Sequence, residues 1–199
     1  MKSAPSGNNR ISLEKAKKED IKDIVDLIYI TEPEPEEEWG YGSEKERKET
    51  LEKLMKMDNN RFSLDNILVA KKANQLIGMV LLIEGKEIDR LTINSEKEVV
   101  TKQKGLLNKL GFIYSSLKGW FFFEECKEDE LYISNIAIKP EHRGHGYATI
   151  MIQKIYHIAQ KKGYKKVSLV AKNDKLIQFY ESIGFNLVNK KYKRMMTVI

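Results

Sequence analysis

The 199-residue sequence is poor in cysteine and proline, and it has no apolar run near the roughly 18 residues that cross a bilayer. Cys126 is the single cysteine, so no internal disulfide can form, which suits a reducing compartment. The first ten residues contain no apolar stretch, so residues 1–10 indicate a flexible tail and no secretory signal. These absences predict a cytoplasmic protein with no membrane partner.

Patterns typical of metal sites are missing as well. The three histidines, His142, His145 and His157, are not spaced like zinc ligands, so we expect no metal. Apolar residues make up 41% of the chain, which is enough for a core and too many for a disordered protein. At this length we predict a single domain over residues 11–199, with an insert at about 84–129.

Charge is distributed unevenly along the chain. Residues 1–100 carry 17 basic and 21 acidic side chains, a net charge of −4, whereas residues 101–199 carry 18 and 8, a net charge of +10. A protein that coats nucleic acid would be basic throughout, and the sequence shows no helix-turn-helix pattern, so we expect no nucleic-acid partner. The asymmetry suggests two partners of opposite charge.

The hydrophobic pattern predicts an α/β protein with the element order β-α-α-β-β-insert-β-α-β-α-β. Ser43 and Glu46 form a capping-box signature at the start of the second helix. The near-continuous apolar run over 130–138 ends before Pro140 and is typical of a buried strand. Within the insert, leucines at helical spacing indicate one or two helices, and residues 120–125 fit either a helix or a strand.

A glycine turn joins this buried strand to the next helix. Gly144 and Gly146 allow positive φ and a close approach of the backbone to a ligand. The first amides of a helix have no internal partner and carry the positive end of its dipole, so strand, turn and helix together favour a phosphate site. Arg143 adds a cation. The turn lacks the lysine of a P-loop and the third glycine of a dinucleotide fingerprint.

Two motifs, RGHGYA over residues 143–148 and NDKLIQFYESIGF over residues 173–185, resemble those of the GNAT family of N-acetyltransferases. The turn RGHGYA, residues 143–148, resembles the family's pyrophosphate loop R/Q-x-x-G-x-G/A. The segment NDKLIQFYESIGF, residues 173–185, resembles its second motif, N-x-x-A-x-x-(L/F)-Y-x-x-x-G-F, with Leu176 where the family often has alanine. The matching positions of the second motif are Asn173, Phe179, Tyr180, Gly184 and Phe185. The resemblance is specific over about 130–185 and only topological over 11–83.

The resemblance implies the GNAT fold, which is a central mixed sheet with splayed parallel strands and flanking helices. It also implies acetyl-CoA as the acyl donor, lying between strands 131–138 and 166–171. The implied contacts of the pantetheine arm are Ile136, Ala137, Ile138, Asn173 and Phe179. The implied contacts of the pyrophosphate are Arg143, Gly144, His145, Gly146, Tyr147, Ala148 and Thr149. Asn173 can equally serve as a helix cap alone.

Acetyl transfer to an amine needs the neutral amine, and a free alkylamine has a pKa of about 10, so a base or an ordered water must remove a proton. The resemblance implies that Tyr180 protonates the leaving thiolate, although a tyrosine there can also be structural. Residues 130, 132, 134, 136 and 138 are expected to share one face of their strand, where Glu130 is the nearest carboxylate. Proton transfer through water to Glu130 or to a carboxylate of the acidic segment 31–38 remains equally open.

The acidic segment TEPEPEEE, residues 31–38, precedes Trp39 and is expected to form a loop near the acceptor. Its functional interpretation is that Glu32, Glu34, Glu36, Glu37 and Glu38 attract a cationic amine, and that Trp39 and Tyr41 pack against it. Its alternative is a solvated charged loop. We therefore expect an N-acetyltransferase for a primary amine of a cationic small molecule. A protein or peptide acetyltransferase and a non-catalytic acyl-CoA-binding module are the alternatives, and a homodimer is compatible with the sequence.

Overall fold

The computed structural model of the protein describes residues 11–122 and 124–199. The predicted N-terminal tail, residues 1–10, lies outside the described residues. Seven strands form one sheet in the order β1-β2-β3-β4-β5-β7-β6. The strands are β1 (Ser12–Lys15), β2 (Ile67–Lys72), β3 (Gln75–Glu84), β4 (Leu131–Ile138), β5 (Lys166–Val170), β6 (Asn186–Asn189) and β7 (Arg194–Val198). Strands β4 and β5 are parallel and the other neighbouring pairs are antiparallel, so the predicted mixed α/β sheet is confirmed.

Seven α-helices flank this sheet within the described residues. They are α1 (Ile21–Tyr29), α2 (Pro35–Trp39), α3 (Glu44–Met55), α4 (Ile88–Lys102), α5 (Leu106–Phe122), α6 (Tyr147–Lys161) and α7 (Asp174–Ser182). Buried side chains of α1–α5 form one apolar cluster, and buried side chains of α6 and α7 belong to a second. Within the described residues, no helix is both long and apolar enough to cross a membrane.

Local signals explain most of these boundaries. The Ser43 hydroxyl accepts a hydrogen bond from the Glu46 amide, and the Glu46 carboxylate accepts one from the Ser43 amide, so the predicted capping box begins α3. The hairpin between β2 and β3 turns at Ala73 and Asn74, whose φ angles of 47° and 65° match the twist of the flanking strands. The insert forms α4 and α5, in agreement with the helical spacing of its leucines.

The segment 31–38 was expected to be a loop, but it contains the short helix α2. Pro35 occupies the first turn of this helix. Proline is tolerated there because its missing N–H would have no helical partner and its φ already suits a helix. The expectation of a loop was therefore wrong over residues 35–38.

Strand β4 is bulged and separates from β5, and both features shape the candidate site. It pairs with β5 only from Leu131 to Ile133, whereas its pairing with β3 continues to Ile138. Leu81 lies opposite Asn135 and Leu82 lies opposite Ile133, so Ser134 is the extra residue of a β-bulge. The predicted splay of the parallel strands is therefore present.

The bulge corrects the expected faces of β4. Residues 130, 132, 134, 136 and 138 were expected to share one face, but Tyr132 packs in the same cluster as Ala137, and Ile138 packs in the other. An inserted residue shifts the two-residue alternation by one, so side chains beyond Ser134 exchange faces.

Candidate active site

The gap between β4 and β5 leaves one backbone edge of β4 without a strand partner after Ile133, within the part of the chain that the structure describes. Residues 136–138, predicted to contact pantetheine, lie along this edge. Because β3 pairs with the other edge of the strand, alternate N–H and C=O groups point into the gap. An amide-containing chain such as pantetheine can hydrogen-bond there as a strand would.

The glycine turn has the backbone conformation that an anion site needs. Gly144 and Gly146 have φ angles of 79° and 76°, and α6 begins directly after them at Tyr147. The amides of residues 147–149 lie in the first turn of this 15-residue helix, where α-helical geometry provides no acceptor. The predicted pyrophosphate residues are thus brought together at the end of β4.

Side chains brace this turn from within. Arg143 Nε donates a hydrogen bond of 3.0 Å to the Ile138 carbonyl, and His145 Nδ1 lies 2.9 Å from the Arg143 carbonyl. The Tyr147 ring is buried, and its hydroxyl accepts a 2.5 Å hydrogen bond from Lys72 Nζ. Tyr147 therefore offers its backbone amide to a phosphate, while its side chain anchors the helix.

Helix α7 carries the second motif and begins at Asp174, four residues after the end of β5. The Asn173 side chain accepts a hydrogen bond of 3.0 Å from the Leu176 amide and caps the helix. The rings of Phe179 and Tyr180 lie 5.2 Å apart, and Tyr180 also packs against Phe185. Burial raises the pKa of Tyr180 to about 12, so its hydroxyl stays protonated at physiological pH.

A cavity of about 1000 Å³ adjoins the same gap and is strongly acidic. Tyr132 of β4 and Val170 and Lys172 at the end of β5 line it, together with residues of α2, α4 and α5. Its lining carboxylates are Glu32, Glu34, Glu37, Glu38, Asp89, Glu96, Glu124, Glu125 and Glu128. Its lining cations are Arg61, Lys127 and Lys172.

A buried hydrogen-bond network forms one wall of the cavity and ends at the bulge. The Arg61 guanidinium donates to both oxygens of Glu125, at 2.7 and 2.6 Å, and the Tyr132 hydroxyl donates to Glu125 at 2.7 Å. Arg61 also donates to Ser134 Oγ at 2.9 Å. Ser134 in turn donates to Asn135 Oδ1 at 2.9 Å. Ser134, the extra residue of β4, is thus held by a series of side-chain hydrogen bonds that starts at the cavity wall.

The network also links the bulge to the acidic segment, because Asn135 Nδ2 donates to Thr31 Oγ1 at 2.9 Å. A second link is the ion pair between Lys172 and Glu32, whose atoms are 2.8 Å apart. Segment 31–38 is therefore fixed beside both β4 and the end of β5.

Two carboxylates in this cavity have pKa values displaced in opposite directions. Burial raises the pKa of Glu38 to about 7, against the opposing charge of Arg61 and with help from Glu32 and Glu125. Burial also disfavours ionised Glu125, but the charge and hydrogen bonds of Arg61 outweigh it, so the pKa of Glu125 is lowered. Glu125 is therefore a fixed anion, whereas Glu38 exchanges a proton near neutral pH.

The structure places the predicted acceptor residues unevenly. Glu34 and Glu37 line the cavity, whereas Glu36 is exposed outside it. Trp39 is only 1% exposed and stacks on Tyr29 within the core. The expectation that Trp39 packs against an acceptor is thus corrected, since a buried indole is not accessible to a ligand.

Glu130 is not brought to the cavity. Its carboxylate is 2% exposed, accepts a hydrogen bond from the Lys127 amide and pairs with Arg194 at 2.5 Å. A carboxylate held this way braces the turn before β4, so the prediction that Glu130 is the base finds no support in its position. The sequence named Glu38 only as one of five glutamates expected to attract a cationic acceptor, and it gave no signal for Arg61 or Glu125.

The residues present fit acetyl-CoA as the acyl donor. The open edge of β4 suits the pantetheine amides, the glycine turn and the start of α6 suit the pyrophosphate, and Tyr180 lies on α7, the helix that follows β5. The acidic cavity adjoins the same gap, since Tyr132 of β4 and Val170 and Lys172 at the end of β5 line it.

Comparisons with known proteins agree with this geometry. A solved acetyltransferase has a TM-score of 0.67 at 18% identity, over 94% of this chain and 99% of that one. An N-acetyltransferase from Staphylococcus aureus Mu50 has a TM-score of 0.65 at 23% identity, over 93% and 97% of the two chains. A Drosophila melanogaster polyamine N-acetyltransferase has a TM-score of 0.53 at 15% identity, over 90% and 85%.

A search of curated proteins finds no match. The model of the Acetyltransferase (GNAT) family matches residues 24–185, which include β4, the glycine turn, α6 and the second motif. The chain belongs to the GNAT family of acetyltransferases.

Proposed function

We propose that this protein transfers the acetyl group of acetyl-CoA to the primary amine of a cationic small molecule. The observation that carries the proposal is the acidic cavity of about 1000 Å³ at the gap between β4 and β5. Nine lining carboxylates against three cations produce a negative potential that attracts ammonium groups. Two of these cations, Arg61 and Lys172, are already paired with Glu125 and Glu32.

The insert favours a small acceptor over a protein. Helices α4 and α5 contribute Thr92, Ser95, Glu96, Ser115 and Ser116 to the cavity lining, so the insert forms part of the cavity wall, which supports a small acceptor. Two solved neighbours of similar fold are a polyamine N-acetyltransferase and an agmatine N-acetyltransferase, with TM-scores of 0.53 each. Their names are consistent with a GNAT fold that accommodates an acceptor carrying more than one positive charge.

Glu38 is the proposed proton acceptor. It lines the cavity, and its carboxylate has a pKa of about 7, caused first by burial. A base is most effective when its pKa lies near the working pH, because it is then ionised and still binds a proton strongly. Glu38 replaces Glu130 as the proposed base. It belongs to segment 31–38, whose carboxylates were the alternative proton acceptors.

Tyr180 is proposed to stabilise the leaving thiolate. A thiol has a pKa of about 8.5, so a phenol with a pKa of about 12 does not give up its proton fully to a thiolate. Tyr180 therefore acts as a hydrogen-bond donor to the sulfur. Acetyl-CoA supplies the activated thioester, and this chain orients it, accepts the amine proton and stabilises the released sulfur.

The test is a thiol-release assay with acetyl-CoA and a panel of amines, run together with calorimetric measurement of CoA binding. We expect turnover with diamines and polyamines to exceed turnover with neutral or anionic amines. Faster turnover with a lysine-bearing peptide would favour the protein acetyltransferase instead. Tight CoA binding without turnover on any amine would identify a non-catalytic binding module. The cytoplasmic location remains a prediction from the cysteine content.

A further inference from the structure

Over residues 106–117, helix α5 turns two serines inward and an apolar stripe outward. Ser115 and Ser116 line the acidic cavity, and the Phe112 ring is 1% exposed in the core. The exposed apolar side chains are Leu106, Leu107, Leu110, Ile113, Tyr114 and Leu117, with exposed fractions between 39% and 84%. A surface helix normally has the opposite arrangement, and a large exposed apolar patch marks an interaction site.

The spacing of this outward face is that of a helix-packing stripe. Leu106, Leu110, Ile113 and Leu117 follow one another at intervals of 4, 3 and 4 residues, which places them in one line along the helix. The intervals are the same when read from either end. Such a stripe suits a two-fold pairing, because the stripe of one copy matches the reversed stripe of the other.

The ten residues before the described part fit this face poorly, since they contain only Met1, Ala4 and Pro5 as apolar residues, too few to cover six large side chains. The α5 sequence contains Lys109 and Lys118 and no carboxylate, so an anionic membrane is the competing occupant and forms one arm of the test below. The symmetric spacing of the stripe favours a second copy of the chain.

We propose that the apolar face of α5 binds the same face of a second copy of this chain in an antiparallel, two-fold pair. Leu106 then packs against the partner's Leu117, and Leu110 packs against the partner's Ile113. A standard interface buries roughly 800 Å² per partner, and six side chains of this size and exposure supply on the order of 500 Å² as its apolar centre.

The dimer has a consequence for the acceptor cavity. Helix α5 packs against α2 and α4, and its inner side chains line the cavity. A partner helix on its outer face holds this wall in place and removes the cost of exposing the apolar stripe. The proposal does not depend on the identity of the acceptor.

Sedimentation velocity of the full chain, measured over a range of concentrations, tests the pairing. We expect a species of twice 23.1 kDa for the native chain. The double variant Leu110→Glu with Ile113→Glu is expected to sediment as a monomer, because four carboxylates would meet at the centre. Val188→Glu is the matched control, since Val188 is an exposed apolar residue (44%) on β6, far along the sheet. The control is expected to remain a dimer, and circular dichroism checks that each variant folds.

Cysteine cross-linking tests the antiparallel register. An equal mixture of Leu110→Cys and Ile113→Cys chains is expected to form a disulfide between the two variants on oxidation, while native Cys126 is buried and stays reduced. A native chain that remains monomeric at all concentrations would overturn the proposal. Binding of that monomer to phosphatidylglycerol vesicles would assign the face to a membrane instead. A dimer that survives the double glutamate variant would place the interface elsewhere and would equally overturn it.

Discussion

At the scale of single residues, the surroundings of Glu125 and Glu38 displace the pKa values of these two carboxylates in opposite directions. Glu125 receives two hydrogen bonds from Arg61 and one from Tyr132, so it is held as an anion. The charges of Arg61, Glu32 and Glu125 act on Glu38, and burial raises its pKa to about 7. The same residue type thus serves as a structural anion in one position and as a proton acceptor in the other.

Glu38→Gln is expected to lower kcat by about 100-fold or more at neutral pH, the range that general-base catalysis contributes. The native kcat/KM should rise with pH through about 7 as Glu38 ionises, and this limb should be lost in the variant. Steady-state kinetics across pH measures both effects. Glu36→Gln, outside the cavity, is the control, and an unchanged pH profile in Glu38→Gln would contradict the assignment.

The same substitution has a predicted effect on stability with a definite sign. A carboxyl whose pKa is raised on folding stabilises the fold most while it is protonated, and this contribution is lost as the pH rises through the folded pKa. At pH 8 the ionised Glu38 therefore costs stability, so Glu38→Gln is expected to melt at an equal or higher temperature than the native chain. Thermal melts at pH 5 and pH 8 measure this, and a large loss of stability at pH 8 would show a structural role.

Tyr180→Phe is expected to lower kcat by about 10- to 100-fold with little change in the KM for acetyl-CoA, because a hydrogen bond to a charged group is worth about 1.5–3 kcal/mol. Tyr164→Phe is the matched control, since its hydroxyl donates to Glu84 at 3.0 Å and does not line the acidic cavity. Single-turnover kinetics separates the chemical step from binding. Equal loss of activity in both variants would assign Tyr180 to the core.

At the scale of elements, two irregularities make the site. The bulge at Ser134 and the early end of the β4–β5 pairing open the gap, and the positive φ angles of Gly144 and Gly146 aim the amides of α6 at the end of β4. Regular elements would close the gap and direct the helix elsewhere. Function here depends on where the sheet and the turn depart from ideal geometry.

Gly146→Val is expected to weaken CoA binding by at least 10-fold, because a β-branched residue is strained at a φ of 76° and the turn would change shape. Gly163→Val is the matched control, since Gly163 follows α6 with a φ of 84° at the opposite end of the helix. Calorimetry with CoA measures the difference. Both variants should lose a similar amount of stability, but only Gly146→Val should lose affinity for CoA. Equal CoA affinity in the two variants would show that the glycine turn is not part of the cofactor site.

At the scale of the whole molecule, the acidic and basic halves of the sequence contribute to different parts of the site. Six of the nine carboxylates that line the cavity come from the first hundred residues, whereas the glycine turn and α6 come from the basic half. The acidic half thus supplies most of the carboxylates for the proposed cationic acceptor. The basic half supplies the turn and helix for CoA, which is a polyanion.

The double variant Glu34→Gln with Glu37→Gln is expected to raise the KM for a diamine by about three- to ten-fold, since partly exposed charge pairs contribute about 0.2–1 kcal/mol each. The effect should shrink as salt is added, because ions screen exposed charges beyond about 8 Å at physiological ionic strength. Glu36→Gln again serves as the control. A KM that is unchanged in the double variant, or an effect independent of salt, would contradict an electrostatic acceptor site.

Much of the fold follows from local patterns. The capping box at Ser43, the apolar run that becomes β4 and the helical leucines of the insert each predict an element that the structure contains. The bulge at Ser134 gives no local signal, because it is held by Arg61 and Asn135, which are themselves fixed by distant partners. Helix α2 was missed because proline was taken only as a helix breaker, although it is favoured in a first turn.

The sequence by itself determined the cofactor side of this protein, since the glycine turn and the first amides of α6 are consecutive residues whose conformation depends on local chemistry. Only the tertiary structure decided the acceptor side. Glu32 and Lys172 are 140 positions apart, and Arg61 and Glu125 are 64 apart, yet both pairs form at the cavity. A pKa such as that of Glu38 depends on charges and burial brought together by folding, so it could not be predicted from the order of residues alone.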